Sequence, residues 1–231
     1  MLGRKQPTAG GPSKDRGRLA HDVAALLDAN PKAQPALVGA AQAYYVLDFL
    51  TPGQCDKLIA IIESNRRPST LLSDKSADED YGFRTSESCD MDRYSPDVSP
   101  IDTSIAHLLG LPPERGETMQ GQRYDVGQLF RAHHDFFHEN QKYWPEMKRT
   151  GGQRTWTAMI YLNDVEEGGA TWFPQAGLRV APRRGMLLAW NNMQPDGSPN
   201  LLTLHEGMAV VKGVKYVVTK WFRERDWVVY S

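Results

Sequence analysis

Apolar positions recur with a helical period in the first part of the chain and with shorter, strand-like spacing later. Leu19, Val23, Leu26 and Leu27 fall on one helical face, and Asn30-Pro31 ends the helix they predict. A second short helix is predicted through the alanines from Ala36 to Ala43. The run from Tyr44 to Leu50 reads as a strand. Thr51-Pro52-Gly53-Gln54 then forms a capping box with proline at the first helical position. Cys55, Leu58, Ile59 and Ile62 give the helix it starts an apolar stripe. The stretch from Arg66 to Tyr81 is polar, with Asp74, Asp78, Glu79 and Asp80 making it locally acidic. It is expected to be a surface loop, of the kind that closes over a ligand as a lid.

Beyond Thr118 the pattern changes to short apolar runs divided by glycine and proline. Strands are predicted over Met119–Tyr124, Leu129–His133, Thr155–Leu162, Ala170–Phe173, Leu178–Val180, Met186–Trp190, Leu204–His205 and Tyr216–Phe222. Within Thr155–Leu162 the set Trp156, Ala158, Ile160, Leu162 alternates with Thr155, Thr157, Met159, Tyr161, as expected of a half-buried strand. Many short strands separated by turn signals predict a sandwich or barrel. The organisation read from the pattern is a basic, flexible tail over residues 1–18 and a single domain over 19–231. Helical support occupies about 19–117 of that domain, and a β-core about 118–231. The tail carries Arg4, Lys5, Lys14, Arg16 and Arg18 against Asp15 alone and almost no apolar surface.

Composition narrows the class. The 231 residues hold 27 Lys and Arg against 28 Asp and Glu, and this balance lacks the basic footprint of a dedicated nucleic-acid binder. No apolar run approaches the roughly 20 residues needed to span a bilayer, so no membrane partner is expected. With 2 cysteines, Cys55 and Cys89, no disulfide framework can form; buried thiols in a reducing, cytoplasmic setting are expected.

The chemistry lies around His133. In a strand, residues two apart share a face, so His133 and Asp135 point together while His134 points away. An imidazole and a carboxylate converging in this way supply two metal ligands, and His205, before Glu206-Gly207, is the best third. Two histidines and one carboxylate leave coordination positions open, the arrangement of non-haem Fe(II) oxygenases. His21, His107 and His138 are read as surface or packing residues. Lys215 is either a surface lysine near a turn or a buried ammonium that needs a ligand carboxylate.

At these residues the sequence resembles the prolyl 4-hydroxylase branch of the Fe(II)- and 2-oxoglutarate-dependent dioxygenases. The likeness covers roughly Tyr44 to Trp227. Its blocks are Tyr124 with His133-His134-Asp135-Phe136-Phe137, Gly151 to Arg154, Tyr161-Leu162-Asn163, Glu167 to Thr171, Pro182 with Gly185-Met186, and His205-Glu206-Gly207 with Gly213-Val214-Lys215-Tyr216 and Lys220-Trp221. Phe83-Arg84-Thr85-Ser86 resembles the family's stretch ahead of the core. The resemblance implies a mostly β fold with supporting helices, built on a double-stranded β-helix (jelly-roll, cupin-like) core. It makes His133, Asp135 and His205 the iron ligands. It sets Lys215 against the distal carboxylate of 2-oxoglutarate, Thr171 beside it, and Tyr124 as a donor to the cosubstrate. Arg154, Trp221 and Arg84 fall on the substrate side, although packing alone also accounts for Trp221.

The implied reaction consumes O2 and 2-oxoglutarate, releases succinate and CO2, and hydroxylates C4 of proline in a peptide or protein, with ascorbate as reductant. Two alternatives stay open: hydroxylation of free proline or another small metabolite, and a non-catalytic metal-binding jelly-roll that senses a ligand. The loops between Asp135 and Arg154 and between Trp190 and His205 are expected at the open end of the barrel. There Tyr143 and Trp144 either meet substrate or pack on the rim.

Overall fold

The computed structural model describes residues 9–37, 41–70 and 83–228. Helix α1 (Lys14–Ala29) is capped by Ser13 and buries Ala20, Val23, Ala24 and Leu27. Its start corrects the expectation of a tail reaching residue 18. Arg16 is buried with hydrogen-bonding partners for its guanidinium, which a reading of composition alone cannot foresee. The helix expected from Ala36 to Ala43 is also corrected. Here β1 (Ala33–Leu37) pairs antiparallel with β2 (Ala43–Val46), because pairing with the sheet edge overrides the helical preference of alanine. Residues 38–40 lie outside the description.

Helix α2 (Pro52–Asn65) starts at the expected box, with Thr51 and Gln54 capping each other's backbone, and buries Cys55, Leu58 and Ile62. Strands β3 (Arg67–Pro68) and β4 (Glu87–Asp90) follow, and most of the acidic loop proposed as a lid, residues 71–81, falls outside the described residues. Helix α3 (Ser99–Leu108) buries Ile101, Ile105 and Ala106.

The β-core then runs through β5 (Gln120–Tyr124), β6 (Phe130–His133), helix α4 (Trp144–Arg149) and β7 (Arg154–Tyr161). It continues with β8 (Glu167–Gly168), β9 (Thr171–Phe173), β10 (Leu178–Val180) and β11 (Leu187–Asn191). It closes with β12 (His205–Gly207), β13 (Val210–Lys212) and β14 (Lys215–Arg223). The segment between Asp135 and Arg154 is thus not all loop, since α4 occupies part of it.

An eight-stranded sheet has the order β1-β2-β11-β7-β14-β5-β4-β3, and a four-stranded sheet the order β10-β9-β12-β6. All named strand pairs are antiparallel. The stretch β11-β7-β14-β5 faces the four-stranded sheet, and this is a jelly-roll. Tyr161 and Met159 of β7, Leu188 and Trp190 of β11 and Val217 of β14 meet Phe173 of β9 across the interior. The other face of the large sheet packs under the three helices. Trp156, Ala158, Ile160 and Phe222 join Leu27, Leu58 and Ile105 in one apolar cluster.

That double covering corrects the half-buried reading of β7, whose positions from Thr155 to Tyr161 are all buried. Thr155 and Thr157 lie on the barrel face and are fully buried, so their hydroxyls need partners. Cys55 and Cys89 are buried free thiols. No helix among the described residues is long and apolar enough to cross a membrane.

Candidate metal centre

His133 and His205 sit opposite each other on the neighbouring strands β6 and β12. Cross-strand pairing brings their rings to a centroid separation of 4.3 Å. The chain turns after His133 and brings Asp135 between them. Asp135 Oδ1 lies 3.8 Å from His133 Nε2, and Oδ2 lies 3.8 Å from His205 Nε2. One ligand atom from each of the three residues falls within a 4.8 Å cluster.

The imidazoles are aimed by their other nitrogens. His133 Nδ1 donates to the Arg131 carbonyl at 2.8 Å, and His205 Nδ1 to the Thr203 carbonyl at 2.9 Å. A carbonyl only accepts, so each ring carries a proton on Nδ1 and turns its Nε2 toward Asp135. Phe130 stacks on His133 at 3.6 Å, and Trp190 and Phe173 wall His205 at 4.8 and 5.3 Å between centroids. Burial above all, then the neighbouring His205, pushes His133 down to about 3, so it is neutral and ready to ligate.

Burial alone would raise the Asp135 carboxyl. His205 and Arg154 together with the Thr157 hydrogen bond outweigh it and hold Asp135 below the usual carboxylate range. That hydrogen bond runs from Thr157 Oγ1 to Asp135 Oδ2 at 2.8 Å, and Asn192 Nδ2 donates onward to Thr157 Oγ1 at 2.9 Å.

A second group of side chains lies deeper in the barrel. Lys215 opens β14 opposite Tyr124 of β5 and is 2% exposed. Its Nζ stands 5.2 Å from the Tyr124 ring centroid and 5.6 Å from that of Tyr161. Tyr161 Oη donates to Thr171 Oγ1 at 2.7 Å. Burial is the one influence on the ammonium, and with no carboxylate beside it among the described residues its pKa falls to about 7. A buried cation with no counter-charge among the described residues fits a ligand carboxylate. The donor set of two imidazoles and one carboxylate likewise fits Fe(II).

A profile of the 2OG-Fe(II) oxygenase superfamily matches residues 119–223, the span that holds all of these groups. A probable prolyl 4-hydroxylase of Arabidopsis thaliana is 34% identical over 208 residues, covering 80% of this chain and 70% of that protein. The chain belongs to the prolyl 4-hydroxylase family. It is a 2-oxoglutarate-dependent dioxygenase by that membership, with Fe(II), 2-oxoglutarate and O2 as the cofactors of its class. Solved structures agree on the fold. The viral collagen prolyl hydroxylase of Paramecium bursaria Chlorella virus-1, with 2-oxoglutarate bound, superposes at TM-score 0.58 and 24% identity over 78% of this chain and 95% of that one. A prolyl hydroxylase from Trichoplax adhaerens in complex with a hypoxia-inducible-factor peptide superposes at 0.60 and 15% identity over 90% of each chain.

In this prolyl 4-hydroxylase family member, a cavity of about 790 Å3 opens at the cluster of His133, Asp135 and His205. Its lining includes Phe83, Arg84, His133, Asp135, Arg154 and Trp221. Arg154 grips Glu117 with two parallel hydrogen bonds of 2.7 and 2.8 Å, and its guanidinium lies 4.1 Å from the Trp221 ring centroid and 4.8 Å from that of Phe137. Arg84 donates to Gln120 Oε1 at 2.8 Å and covers the Phe130 ring at 4.8 Å. Tyr143 and His138 also line the cavity, His138 with its ring packed on those of His134 and Phe136, whereas Trp144 opens α4 outside it.

Three residues escaped the reading of the sequence. Glu117 neutralises Arg154 and also meets Arg223 Nε at 2.9 Å, and nothing in its local pattern marks it. Thr157 was visible only as the polar half of an alternating strand. Asn192 stood in a segment read as loop.

Proposed function

We propose that this dioxygenase hydroxylates C4 of a proline residue held within a peptide or protein. The reading rests above all on the opening of the metal-ligand cluster into a cavity of about 790 Å3. That volume is in the upper part of the roughly 300–1,000 Å3 typical of ligand sites. It suits a stretch of chain better than one free amino acid.

In the proposed division of labour His133, Asp135 and His205 hold Fe(II). Bound there, the ion would supply the O2 activation that couples decarboxylation of 2-oxoglutarate to succinate and CO2 with hydroxylation of the substrate. Lys215 pairs with the distal carboxylate of the cosubstrate, with the Thr171 hydroxyl beside it. Tyr124 lies on the same face of the barrel, opposite Lys215, and donates to the cosubstrate from there. Phe173, Trp190 and Phe130 exclude water around the imidazoles.

On the open side Arg154, locked by Glu117, presents a flat guanidinium against the Trp221 ring, and together they position the peptide. Arg84 lines the same cavity, and Asp135 holds the anionic ligand position that keeps the outcome hydroxylation. Ascorbate is the proposed reductant for restoring the ferrous state. The buried thiols of Cys55 and Cys89 suit the reducing cytoplasm proposed as its compartment.

The test is mass spectrometry of a panel of proline-containing peptides after incubation with Fe(II), 2-oxoglutarate and ascorbate. One added oxygen on proline, with equimolar succinate, is expected. Succinate formation on free proline, with no product across the panel, would transfer the reading to a small-molecule hydroxylase.

A further inference from the structure

Arg16 is 6% exposed and lies on the first turn of α1, in the stretch whose composition reads as solvated tail. Its guanidinium gathers four chain segments. Nε donates to the Gly197 carbonyl at 2.8 Å and Nη2 to the Gly11 carbonyl. Nη1 meets Glu139 Oε1 at 2.9 Å and Glu224 Oε2 at 3.6 Å.

The backbone supports the same joint. Ser13 N donates to the Asp196 carbonyl at 2.9 Å, and a Cβ on Gly17 would stand 2.5 Å from the Pro195 carbonyl oxygen. Gly197, at φ +78, faces Ser13 O and Gly17 N so closely that no side chain fits. Ala9 adds an apolar contact to the cluster of Ala20, Phe136 and Met193.

Each clasped segment borders the site. Glu139 ends the run Asp135-Phe136-Phe137-His138, in which every one of those four residues lines the substrate cavity. The 195–197 turn leads toward His205, and Glu224 follows β14, which carries Trp221 into the cavity. Arg16 itself touches neither the metal ligands nor the cavity.

We propose that Arg16 is a positioning residue, clasping Glu139, Glu224 and the 195–197 turn so that the N-terminal segment sets the shape of the substrate-cavity wall and with it peptide affinity. The effect on peptide affinity rests on the hydroxylase reading above; the clasp does not.

The test compares wild type, Arg16→Gln, Glu139→Gln and the double variant, all as full-length chains, loaded with Mn(II) for hydrogen exchange and with Fe(II) for turnover. Hydrogen exchange followed by mass spectrometry is expected to speed up about tenfold across residues 134–143 in each single variant while β7 and β14 keep wild-type rates. The double variant is expected to match Arg16→Gln, because Glu139→Gln removes a linkage that Arg16→Gln has already lost. For the peptide best turned over by wild type, KM is expected to rise about fivefold or more, with kcat and the 2-oxoglutarate KM within about twofold. Unchanged exchange at 134–143, equal acceleration in β7 and β14, or single effects that multiply in the double variant would each overturn the clasp. An unchanged peptide KM alongside the expected exchange would overturn its role in affinity. If Arg16→Gln does not fold, Glu139→Gln carries the same comparison. If wild type turns over no peptide, the hydroxylase reading fails while the exchange result still decides the clasp.

Discussion

Thr157 Oγ1 donates to Asp135 Oδ2 across 2.8 Å, tying a side chain of the large sheet to a metal-ligand candidate that follows a strand of the small one. The bond fixes the rotation of the carboxylate. Because Asn192 donates to the same Thr157 oxygen, the hydroxyl proton is committed to Asp135.

Thr157→Val keeps the volume and the β-branch but removes the donor. Iron affinity is expected to fall about 10- to 100-fold, the usual effect of losing an outer partner of a metal ligand. The fold should persist. Isothermal titration with Fe(II) under anaerobic conditions, next to a thermal melt of the apoprotein, measures both. Affinity within twofold of wild type would show that the turn after His133 orients Asp135 unaided.

His205→Ala removes one of the three proposed ligands and is expected to abolish turnover and weaken Fe(II) binding sharply. A chelator should inactivate the wild-type enzyme reversibly, with activity returning on Fe(II) addition. Normal iron affinity in the His133, Asp135 and His205 variants would place the metal elsewhere.

Lys215 sets a pH dependence. Burial alone brings its ammonium down to about 7, and only the protonated form attracts a carboxylate. Affinity for 2-oxoglutarate is therefore expected to fall as pH rises through 7 and to recover on the acid side. Lys215→Met should lower the affinity by at least about thirtyfold and flatten that profile, leaving Fe(II) affinity near wild type. The stability of the cosubstrate-free protein changes in the opposite sense. The unfolded chain holds this proton up to the ordinary lysine value of 10.5 and the fold releases it near 7. In that window the unfolded state binds more protons, so this group makes stability rise with pH. Titration of 2-oxoglutarate between pH 6 and pH 9 and melts over the same range check both signs.

Glu117→Gln leaves Arg154 and Arg223 without their shared carboxylate. The pair is largely buried, so the loss is expected to cost about 3–5 kcal/mol, read as a fall in the denaturation midpoint. In protein that still folds, peptide KM should rise, since nothing else among its described contacts holds the Arg154 guanidinium by two parallel hydrogen bonds.

The strands of the core were legible because turn residues separate short apolar runs, and the metal cluster because His133 and Asp135 share a motif in the sequence. The partners of those residues were not. Thr157 looked like an outward-facing threonine because alternation cannot tell a wet face from a second buried one, and here helices cover one face and the barrel interior the other. The alanine run from Ala36 failed as a helix because its neighbour is a free sheet edge, a fact of tertiary pairing. Arg16 hid in a composition typical of solvated tails, and its burial depends on carboxylates more than a hundred residues away in sequence. Helix α3 did carry a signal, Ile101 and Ile105 four residues apart after Pro100, although its N-terminus lacks a side-chain cap.

The orientation of the metal site draws on both walls of the barrel. Its two imidazoles ride on adjacent strands of the small sheet, while the carboxylate between them is steered from the large one. An ion seated there therefore acts as a rivet between the walls. Loading should raise the unfolding temperature in proportion to the logarithm of free metal, and small shear of one sheet against the other should register first as a change in metal affinity.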